Sequence, residues 1–279
     1  LRVSRFVING DTIDAGSEKI LIKSMQTLNK YHIAGTVRFG PDGKLWISVG
    51  NNANNANSQD LTNIYGKILR INPDGSIPTD NPFYGLTGEQ GSIWAYGFRN
   101  PFRFNFLPDG RPIVGDVGEG NTEEIDIIEK GGNYGWPGCE GFCTTPNASY
   151  VDPIFGYAHN GASAAVAGGF VNSGSQLGAD YKNAYFYGDY AKGFVRYLKL
   201  DSSGDFLSDN DFDVSAGAVV DLMQGQDGNV YFVTIASSSF GPNTGALYKV
   251  GFNASNAQPT AKISAIPNAG LTPLTVTVS

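Results

Sequence analysis

The chain contains two histidines, His32 and His159, and they limit the acid–base chemistry that it can perform. A reaction that needs an imidazole base near neutral pH must use one of the two. His32 stands in the segment YHIAGTVRFG at the start of a predicted strand, and His159 stands in FGYAHNG. For each of them the alternative is a structural role, in which the ring fills or caps a turn.

An arginine–asparagine pair, Arg99 and Asn100, lies in the segment GFRNPFR. A guanidinium group presents a rigid fork of N–H donors that suits carboxylate oxygens, so Arg99 is a candidate for binding an anionic ligand. An ion pair with a neighbouring aspartate is the structural alternative.

Carboxylates are concentrated in the segment GDVGEGNTEEIDII, which contains Asp116, Glu119, Glu123 and Glu124. Ca²⁺ takes about six to eight oxygen ligands, and this segment offers many oxygens within a short stretch. A calcium site is therefore plausible here. The alternative is a solvated acidic loop.

Two cysteines, Cys139 and Cys143, stand in CEGFC. Two thiols cannot form a closed zinc site alone, and neither histidine lies nearby in the sequence. A local disulfide that holds a turn is the better interpretation, and it agrees with a secreted protein.

The candidate residues must be positioned by short runs rich in Val, Ile, Tyr, Phe and Trp, a composition typical of β-strands. Gly, Asp-Gly or Pro follows each run, as expected for strands joined by tight turns. The clearest are RVSRFVI, TVRFG with KLWISVG, KILRI, IWAYG, FRFNF with PIVGDVG, AYFYGDY, FVRYLKL, VVDLM with NVYFVTIA, and ALYKV. Because similar hairpin units recur with variable insertions, radial repetition is favoured over a sandwich. We expect β-propeller blades at roughly 33–75, 90–130, 163–201 and 216–252, with residues 1–24 as outer strands of an earlier blade.

Composition excludes some classes of partner. The net charge is −7 with a pI near 4.8, and no basic stripe is interleaved with aromatic residues, so nucleic acid is not expected as a partner. No apolar run reaches about 18 residues, the length usually needed for a membrane span. We therefore expect no membrane span.

Two consecutive segments between Ile93 and Gly141, IWAYGFRNPFRFNFLPDGRPIVGDVG and EEIDIIEKGGNYGWPGCEG, resemble the PQQ-dependent glucose/sorbosone dehydrogenase family, which includes soluble aldose sugar dehydrogenases. The resemblance extends from about Arg2 to Phe252. It implies an all-β fold, a six-bladed β-propeller that is N-terminally incomplete in this chain, with about four and a half blades in residues 1–252. The chain begins directly on a strand-like segment, which suggests a fragment or a processed product.

The resemblance also implies cofactors and a site. PQQ and Ca²⁺ are the expected cofactors, His32 corresponds to the general base that acts on the sugar hydroxyl, and Arg99 and Asn100 correspond to cofactor contacts. Backbone carbonyls of Gly118 and Glu119 correspond to those that bind the calcium ion. The expected partners are a small-molecule sugar and an external electron acceptor.

This chain departs from the family near the implied base. Ala34-Gly35 stands where the family often has Gly-Gly, and Asn51 stands where the family has an aspartate, which removes a carboxylate. Glu119 stands where Gln or Pro is more usual, and its charge could strengthen metal binding or repel an anionic cofactor.

Three positions lack the cations that neutralise PQQ in glucose-oxidising members. They are Ala191, Ala218 and Val220. Lys192 is adjacent to the first, but on a strand it would point to the other face. This loss makes glucose dehydrogenase in the strict sense an unfavoured prediction.

The segment GGNYGWP, from Gly131 to Pro137, marks the family without evident chemistry. Its Tyr134 and Trp136 are expected to pack between blades. The resemblance implies that His159 lies at the rim of the propeller's central tunnel or has a structural role.

A different composition follows Phe252. Residues 253–258 form a small polar linker, and residues 259–279 resemble the opening strands of a PKD-like, immunoglobulin-like module. Such modules belong mostly to secreted, modular proteins, so a secreted, periplasmic or extracellular location is expected.

The leading hypothesis is an extracellular, calcium-dependent quinoprotein that oxidises an aldose or related sugar. The alternative is a non-catalytic propeller that serves as a carbohydrate- or protein-binding or adhesion module. Arg99 and the acidic turn favour the enzyme, whereas the missing cations favour the alternative.

Overall fold

The computed structural model describes residues 1–24, 27–144, 149–235, 245–251 and 264–265. The chain divides into two compact units, Leu1–Phe102 with Ile128–Asp152 and Arg103–Ile127 with Pro153–Ser279. Strands dominate both units. In the described ranges, no helix has the length and apolar character to cross a membrane.

The first unit contains a two-stranded hairpin and a four-stranded antiparallel sheet. The hairpin comprises β1 (Arg2–Asn9) and β2 (Thr12–Lys23). The sheet comprises β3 (Val37–Phe39), β4 (Leu45–Val49), β5 (Lys67–Ile71) and β6 (Ile93–Tyr96), in that spatial order. A one-turn helix, α1 (Ala56–Gln59), lies in the connection from β4 to β5. Ile47, Val49 and Leu69 belong to the apolar core of this unit.

Three four-stranded antiparallel sheets form the second unit, apart from the first two residues of β7. Their strands are β7 (Pro101–Phe106), β8 (Pro112–Asp116), β9 (Thr122–Ile127) and β10 (Phe155–Ala158); β11 (Val166–Val171), β12 (Tyr185–Asp189), β13 (Phe194–Leu200) and β14 (Phe206–Asp213); and β15 (Val219–Gln224), β16 (Val230–Thr234), β17 (Ala246–Val250) and β18 (Ser264–Ala265). Aromatic rings including Phe155, Tyr185 and Tyr187 fill the cores between strands.

The Asp-Gly pairs occupy hairpin turns, as predicted. Gly43, Gly110 and Gly228 have φ values of 72°, 92° and 80°, in the region that favours glycine. They join β3 to β4, β7 to β8 and β15 to β16 respectively. The predicted repetition of four-stranded antiparallel units is therefore observed, and the fold is all-β.

The blade boundaries differ from the sequence-based prediction. The first sheet continues to Tyr96, because its fourth strand follows a long loop, and the third sheet continues to Asp213. The second sheet starts at Pro101 and takes its outer strand from Phe155–Ala158, after an insertion that contains both cysteines. The prediction assigned the IWAYG run to the next blade, and it missed β10, which is very short, and β14, which is polar.

Ser264 and Ala265 pair with Tyr248 and Leu247 of β17 and form the last strand of the fourth sheet. They belong to the segment that is predicted to open a PKD-like module. The rest of that segment, and the predicted linker, lie outside the described residues.

Candidate functional site

His32 lies in the connection between β2 and β3 and is half-buried in the first unit. Its φ of 53° and the φ of 48° at Ala34 place both residues in the left-handed region, which is uncommon outside glycine. Such strained backbone conformations concentrate at functional sites. Three of the contacts that hold this connection involve Asn51, Asn100 and Gly50.

Asn51 orients the ring of His32. The Asn51 Oδ1 atom lies 3.1 Å from His32 Nδ1 and also accepts the backbone N–H of Ala53 at 3.0 Å. Because the backbone N–H can only donate, it identifies this amide atom as the oxygen, and His32 Nδ1 must therefore carry the proton. The lone pair of the neutral ring then lies on Nε2, the atom that could act as a base.

Asn51 stands where the resemblance implies an aspartate. The amide keeps the hydrogen bond that orients the ring, but it brings no negative charge to stabilise a protonated imidazole. Asn51 therefore orients the His32 ring without placing a negative charge beside it.

The other two contacts involve Asn100 and Gly50. The Asn100 Oδ1 atom accepts the backbone N–H of Ala34 at 3.1 Å, so this side chain supports the His32 connection. A Cβ atom on Gly50 would overlap the carbonyl of His32 and lie 2.6 Å from Asn100 Oδ1, which explains why glycine stands there.

Arg99 is half-buried and its guanidinium lies 5.6 Å from the centre of the Trp136 ring, a cation–π contact. Its backbone carbonyl accepts the N–H of Asn51 at 2.9 Å. His32, Arg99 and Asn100, three of the predicted site residues, are therefore brought together within the first unit.

The indole of Trp136 extends this network. Its Nε1–H donates to Asn55 Oδ1 at 3.2 Å, and the same oxygen accepts from Asn51 Nδ2 at 3.2 Å. Gln59 donates to the Trp136 carbonyl at 2.7 Å and exchanges two hydrogen bonds with Asn133. Trp136 belongs to the GGNYGWP segment. Within this unit the segment therefore contacts Arg99, in addition to the packing role predicted for it.

Sequence reasoning missed Asn55, Gln59 and Trp136 as parts of this site. A signal was available, because residues 51–59 have the sequence NNANNANSQ directly after the buried strand β4. A run of amides at the end of a buried strand provides many fixed donors and acceptors.

The predicted metal turn lies in the second unit, where Glu119 is exposed and Gly118 is partly exposed. Glu123 is completely buried. Its Oε1 atom lies 2.7 Å from His159 Nε2, and its Oε2 atom accepts from Val166 N at 2.8 Å and from Gly118 N at 3.3 Å. Burial raises the pKa of Glu123, against the hydrogen bonds from Val166 and His159. The buried Glu123 carboxylate therefore holds the turn through its hydrogen bond with Gly118 and is not exposed at the surface.

The remaining carboxylates do not converge with Glu119. In the register of β8 and β9, Asp116 pairs with Glu124, and Asp126 lies two residues further along β9. Asp126 is completely buried, no described group hydrogen bonds to its carboxyl oxygens, and burial with the charges of Glu124 and Asp116 raises its pKa well above the usual value. Among the residues that the structure describes, no three His, Cys, Asp or Glu side chains could hold a metal ion together. The backbone carbonyls of Gly118 and Glu119 therefore remain the candidate calcium ligands at this turn.

Lys192 differs from the sequence-based expectation. It lies in the turn between β12 and β13 rather than on a strand, its N–H donates to Asp189 Oδ1, and its Nζ atom donates to the His159 carbonyl at 3.3 Å. The prediction that it points to the opposite face of a strand was wrong, because β12 ends at Asp189. The ammonium group lies beside the His159 segment, whereas Ala191, Ala218 and Val220 supply no charge.

The insertion between β9 and β10 contains the disulfide. Cys139 and Cys143 are bonded, with their Cα atoms 5.7 Å apart, which confirms the predicted pair. The backbone N–H of Cys139 also donates to the Gly135 carbonyl at 3.1 Å, next to Trp136.

Comparison with known proteins agrees with this arrangement. Residues 1–240 match the family model described as Glucose / Sorbosone dehydrogenase. The chain belongs to this family. Membership of the Glucose / Sorbosone dehydrogenase family accounts for the shared segments around Arg99 and Trp136.

Two relatives and one solved structure illustrate the range of this family. The HIPL1 protein of Arabidopsis thaliana is 32% identical over 219 residues, which cover 63% of this chain and 31% of the relative. Quinoprotein glucose dehydrogenase B of Acinetobacter calcoaceticus is 33% identical over 143 residues, which cover 44% and 30%. A solved glucose dehydrogenase superposes with a TM-score of 0.78 at 23% identity, covering 90% of this chain and 73% of that one, and this likeness concerns the fold alone. The chain spans about a third of the length of these two relatives.

Proposed function

We propose that this protein is a calcium-dependent quinoprotein that oxidises an aldose or related sugar with PQQ. The observation that supports it most is the orientation of His32. Asn51 holds the proton on Nδ1 and leaves the Nε2 lone pair to accept a proton. A positioned base of this kind is what oxidation of a sugar hydroxyl requires.

In this proposal His32 Nε2 accepts the proton of the anomeric hydroxyl while the anomeric carbon loses a hydride. PQQ, when bound, supplies the two-electron acceptor for that hydride. Asn51 is uncharged, so it orients the His32 ring without pairing an opposite charge to it. Arg99, fixed on Trp136, supplies positive charge for the quinone or its carboxylates.

The residues of the chain fit PQQ in part. In the first unit Arg99 provides a cation, whereas Ala191, Ala218 and Val220 provide none. For Ca²⁺, the accessible backbone of Gly118 and Glu119 provides carbonyl oxygens, which hard cations prefer. The exposed Glu119 carboxylate adds an oxygen donor at the same turn.

We further propose a secreted or periplasmic location and an external electron acceptor. The Cys139–Cys143 disulfide supports the location, since such bonds persist mainly in oxidising compartments. The PKD-like character of residues 259–279 supports it as well.

The three uncharged positions favour a second candidate, a non-catalytic module that binds a carbohydrate or a protein. A module of this kind would keep the fold and lose cations that only a polycarboxylate quinone needs. It predicts a folded protein with no affinity for PQQ.

A binding experiment distinguishes the two candidates. Full-length protein with Ca²⁺ is titrated with PQQ, and dye reduction is then measured with an aldose. We expect binding at micromolar concentration, weakened about tenfold or more by Arg99→Met because a charge-assisted contact is lost. Arg111→Met is the matched control, since Arg111 pairs with Asp109 in a surface turn. If folded protein binds no PQQ at that concentration with calcium present, the enzyme proposal fails and the binding module takes its place.

A further inference from the structure

Lys67, the first residue of β5, is buried in the first unit with no measurable exposure. Its ammonium Nζ donates to three backbone carbonyls, those of Asn57 at 2.7 Å, Ser58 at 3.1 Å and Tyr65 at 2.6 Å. A protonated lysine has three N–H donors and no acceptor, so the three carbonyls match its capacity completely. Lysine is almost never fully buried without such partners.

Two of these carbonyls belong to the loop that carries the amide network. The Asn57 side chain donates to the Asn51 carbonyl at 2.9 Å, so it holds the residue that orients His32. The Ser58 hydroxyl donates to the Phe98 carbonyl at 2.6 Å, and the Ser58 carbonyl also accepts the N–H of Gly97 at 3.0 Å. The three carbonyls around the Lys67 ammonium form a cage. Hydrogen bonds link this cage on one side to Asn51 and on the other side to the backbone that leads to Arg99.

The contacts around Gly66 show that little space remains here. Gly66 has a φ of 68°, and a Cβ atom on it would lie 2.6 Å from the Phe98 carbonyl and 2.8 Å from Ser58 Oγ. Phe98 N donates to the Gly66 carbonyl at 3.3 Å. The loop of residues 51–59 and the backbone at Phe98, two residues after β6, therefore lie in close contact beside Lys67.

We propose that the Lys67 ammonium is an internal structural cation that positions His32 and Arg99 through the loop of residues 51–59. It does for this loop what a small bound metal ion does elsewhere, since it draws several carbonyls toward one positive centre. Lys67 is a positioning residue and does not itself contact a reacting group. The inference rests on the proposed function, because that function gives His32 and Arg99 their roles. The hydrogen bonds around Lys67 belong to the fold and do not depend on catalysis.

The cage requires the charged form. A neutral amine has two N–H donors and a lone pair, which would face one of the carbonyls. Burial lowers the pKa of Lys67 to about 7, and the charge of Asp60, an exposed residue on the same loop, acts in the opposite direction. Since the folded chain gives up this proton more readily than the unfolded chain, raising the pH does not destabilise the whole fold through Lys67. The expected effect is confined to the loop.

Two signals in NMR spectra report on this loop without any cofactor. The indole N–H of Trp136 bonds to Asn55, and Trp46 and Trp94 provide reference signals in the same unit. The His32 ring bonds to Asn51, and His159 provides the reference. In Lys67→Met, we expect the Trp136 and His32 signals to move while the references stay. Lys44→Met is the matched control, because Lys44 contacts the Asn72 side chain instead.

A second measurement needs no change at Lys67. In a His32→Gln background, which removes the titrating ring, the Trp136 indole signal is followed from pH 6 to pH 9, and we expect a transition with a midpoint near the pKa of about 7. If Lys67→Met folds and leaves both signals unchanged, the proposal is overturned. If that variant does not fold, a Trp136 signal that stays constant over the pH range overturns it.

These outcomes are independent of catalysis. Loss of PQQ binding in the natural protein would end the proposed function, yet the two signals would still decide the role of Lys67. When both hold, Lys67→Met should weaken PQQ binding about tenfold through Arg99.

Discussion

The two units solve the problem of buried polar groups in different ways. Around His32 the first unit uses neutral amides: Asn51 donates to Asn55 and accepts from the Ala53 N–H, and Gln59 bonds to Asn133. Next to the acidic turn the second unit buries carboxylates, of which Glu123 is fully bonded and Asp126 has no described hydrogen-bond partner. Amides orient groups without titrating, whereas buried carboxylates make stability depend on pH. The predictions below test this difference.

The largest expected effect is the loss of turnover in His32→Ala. The proposed base is removed, so sugar oxidation should fall by about 10²–10⁴-fold while PQQ binding persists. The matched control is His159→Ala, which removes a buried partner of Glu123 and should lower the melting temperature instead. Steady-state kinetics and PQQ titration of both variants provide the measurement, and equal loss of turnover in both would contradict the assignment.

Glu123→Gln should produce the largest loss of stability. The carboxylate bonds to His159 and accepts the backbone N–H groups of Val166 and Gly118, and losing buried hydrogen bonds to a carboxylate costs about 3 kcal/mol. Chemical denaturation measures the change in the free energy of unfolding. Glu129→Gln, at an exposed position, is the control and should change little. A variant as stable as the parent would show that Glu123 does not tie the turn to the sheet.

Removal of calcium should destabilise the protein by a somewhat smaller amount. A ligand that binds only the folded chain at a concentration of about 100 times its Kd contributes about 2.7 kcal/mol. Thermal unfolding with a chelator should therefore give a lower melting temperature than with saturating Ca²⁺, and added Ca²⁺ should restore it. An identical melting temperature in both conditions would remove the proposed site at Gly118 and Glu119.

The smallest effect, and one of opposite sign, is expected for Asp126→Asn. The pKa of Asp126 is raised in the folded chain, so the carboxyl contributes less stability as the pH rises above its unfolded value of 3.8. The amide cannot ionise, so the variant should be more stable than the parent by about 1 kcal/mol at pH 8, with little difference near pH 4. Melting temperatures across this range test the sign, and a loss of stability at pH 8 would contradict it.

Much of the fold could be predicted because apolar β-branched and aromatic runs coincide with strands. β4, β5, β8, β12, β13 and β16 all follow such runs. β9 and β11 are harder to predict, because β9 contains Glu123, Glu124 and Asp126 and β11 contains a Gly-Gly pair. Those charged residues are buried through tertiary contacts, which no local pattern reveals.

The site was predictable only where a family segment marks it. His32, Arg99 and Asn100 are found from the resemblance, and the structure brings them together. Asn55 is marked only by the amide run of residues 51–59, and Lys67 carries no marker, since hydrogen bonds to carbonyls have no sequence period. The position of Lys192 depends on where β12 ends, and because β12 ends at Asp189, Lys192 lies in the turn before β13.

The Asp-Gly hairpin turns have a consequence for the chemical ageing of the protein. Among aspartyl dipeptides, Asp-Gly forms a cyclic imide most readily, in a reaction that needs a mobile carboxyl in its neutral form. Each carboxyl here is bound to a cation, Asp42 to Arg70, Asp109 to Arg111 and Asp227 to Lys249. Burial alone would raise the pKa of Asp42 and of Asp109, but the arginine and the other hydrogen bonds together lower it, and the bond from Lys249 lowers the pKa of Asp227. The same contacts that shape the turns therefore protect them against isomerisation during long storage.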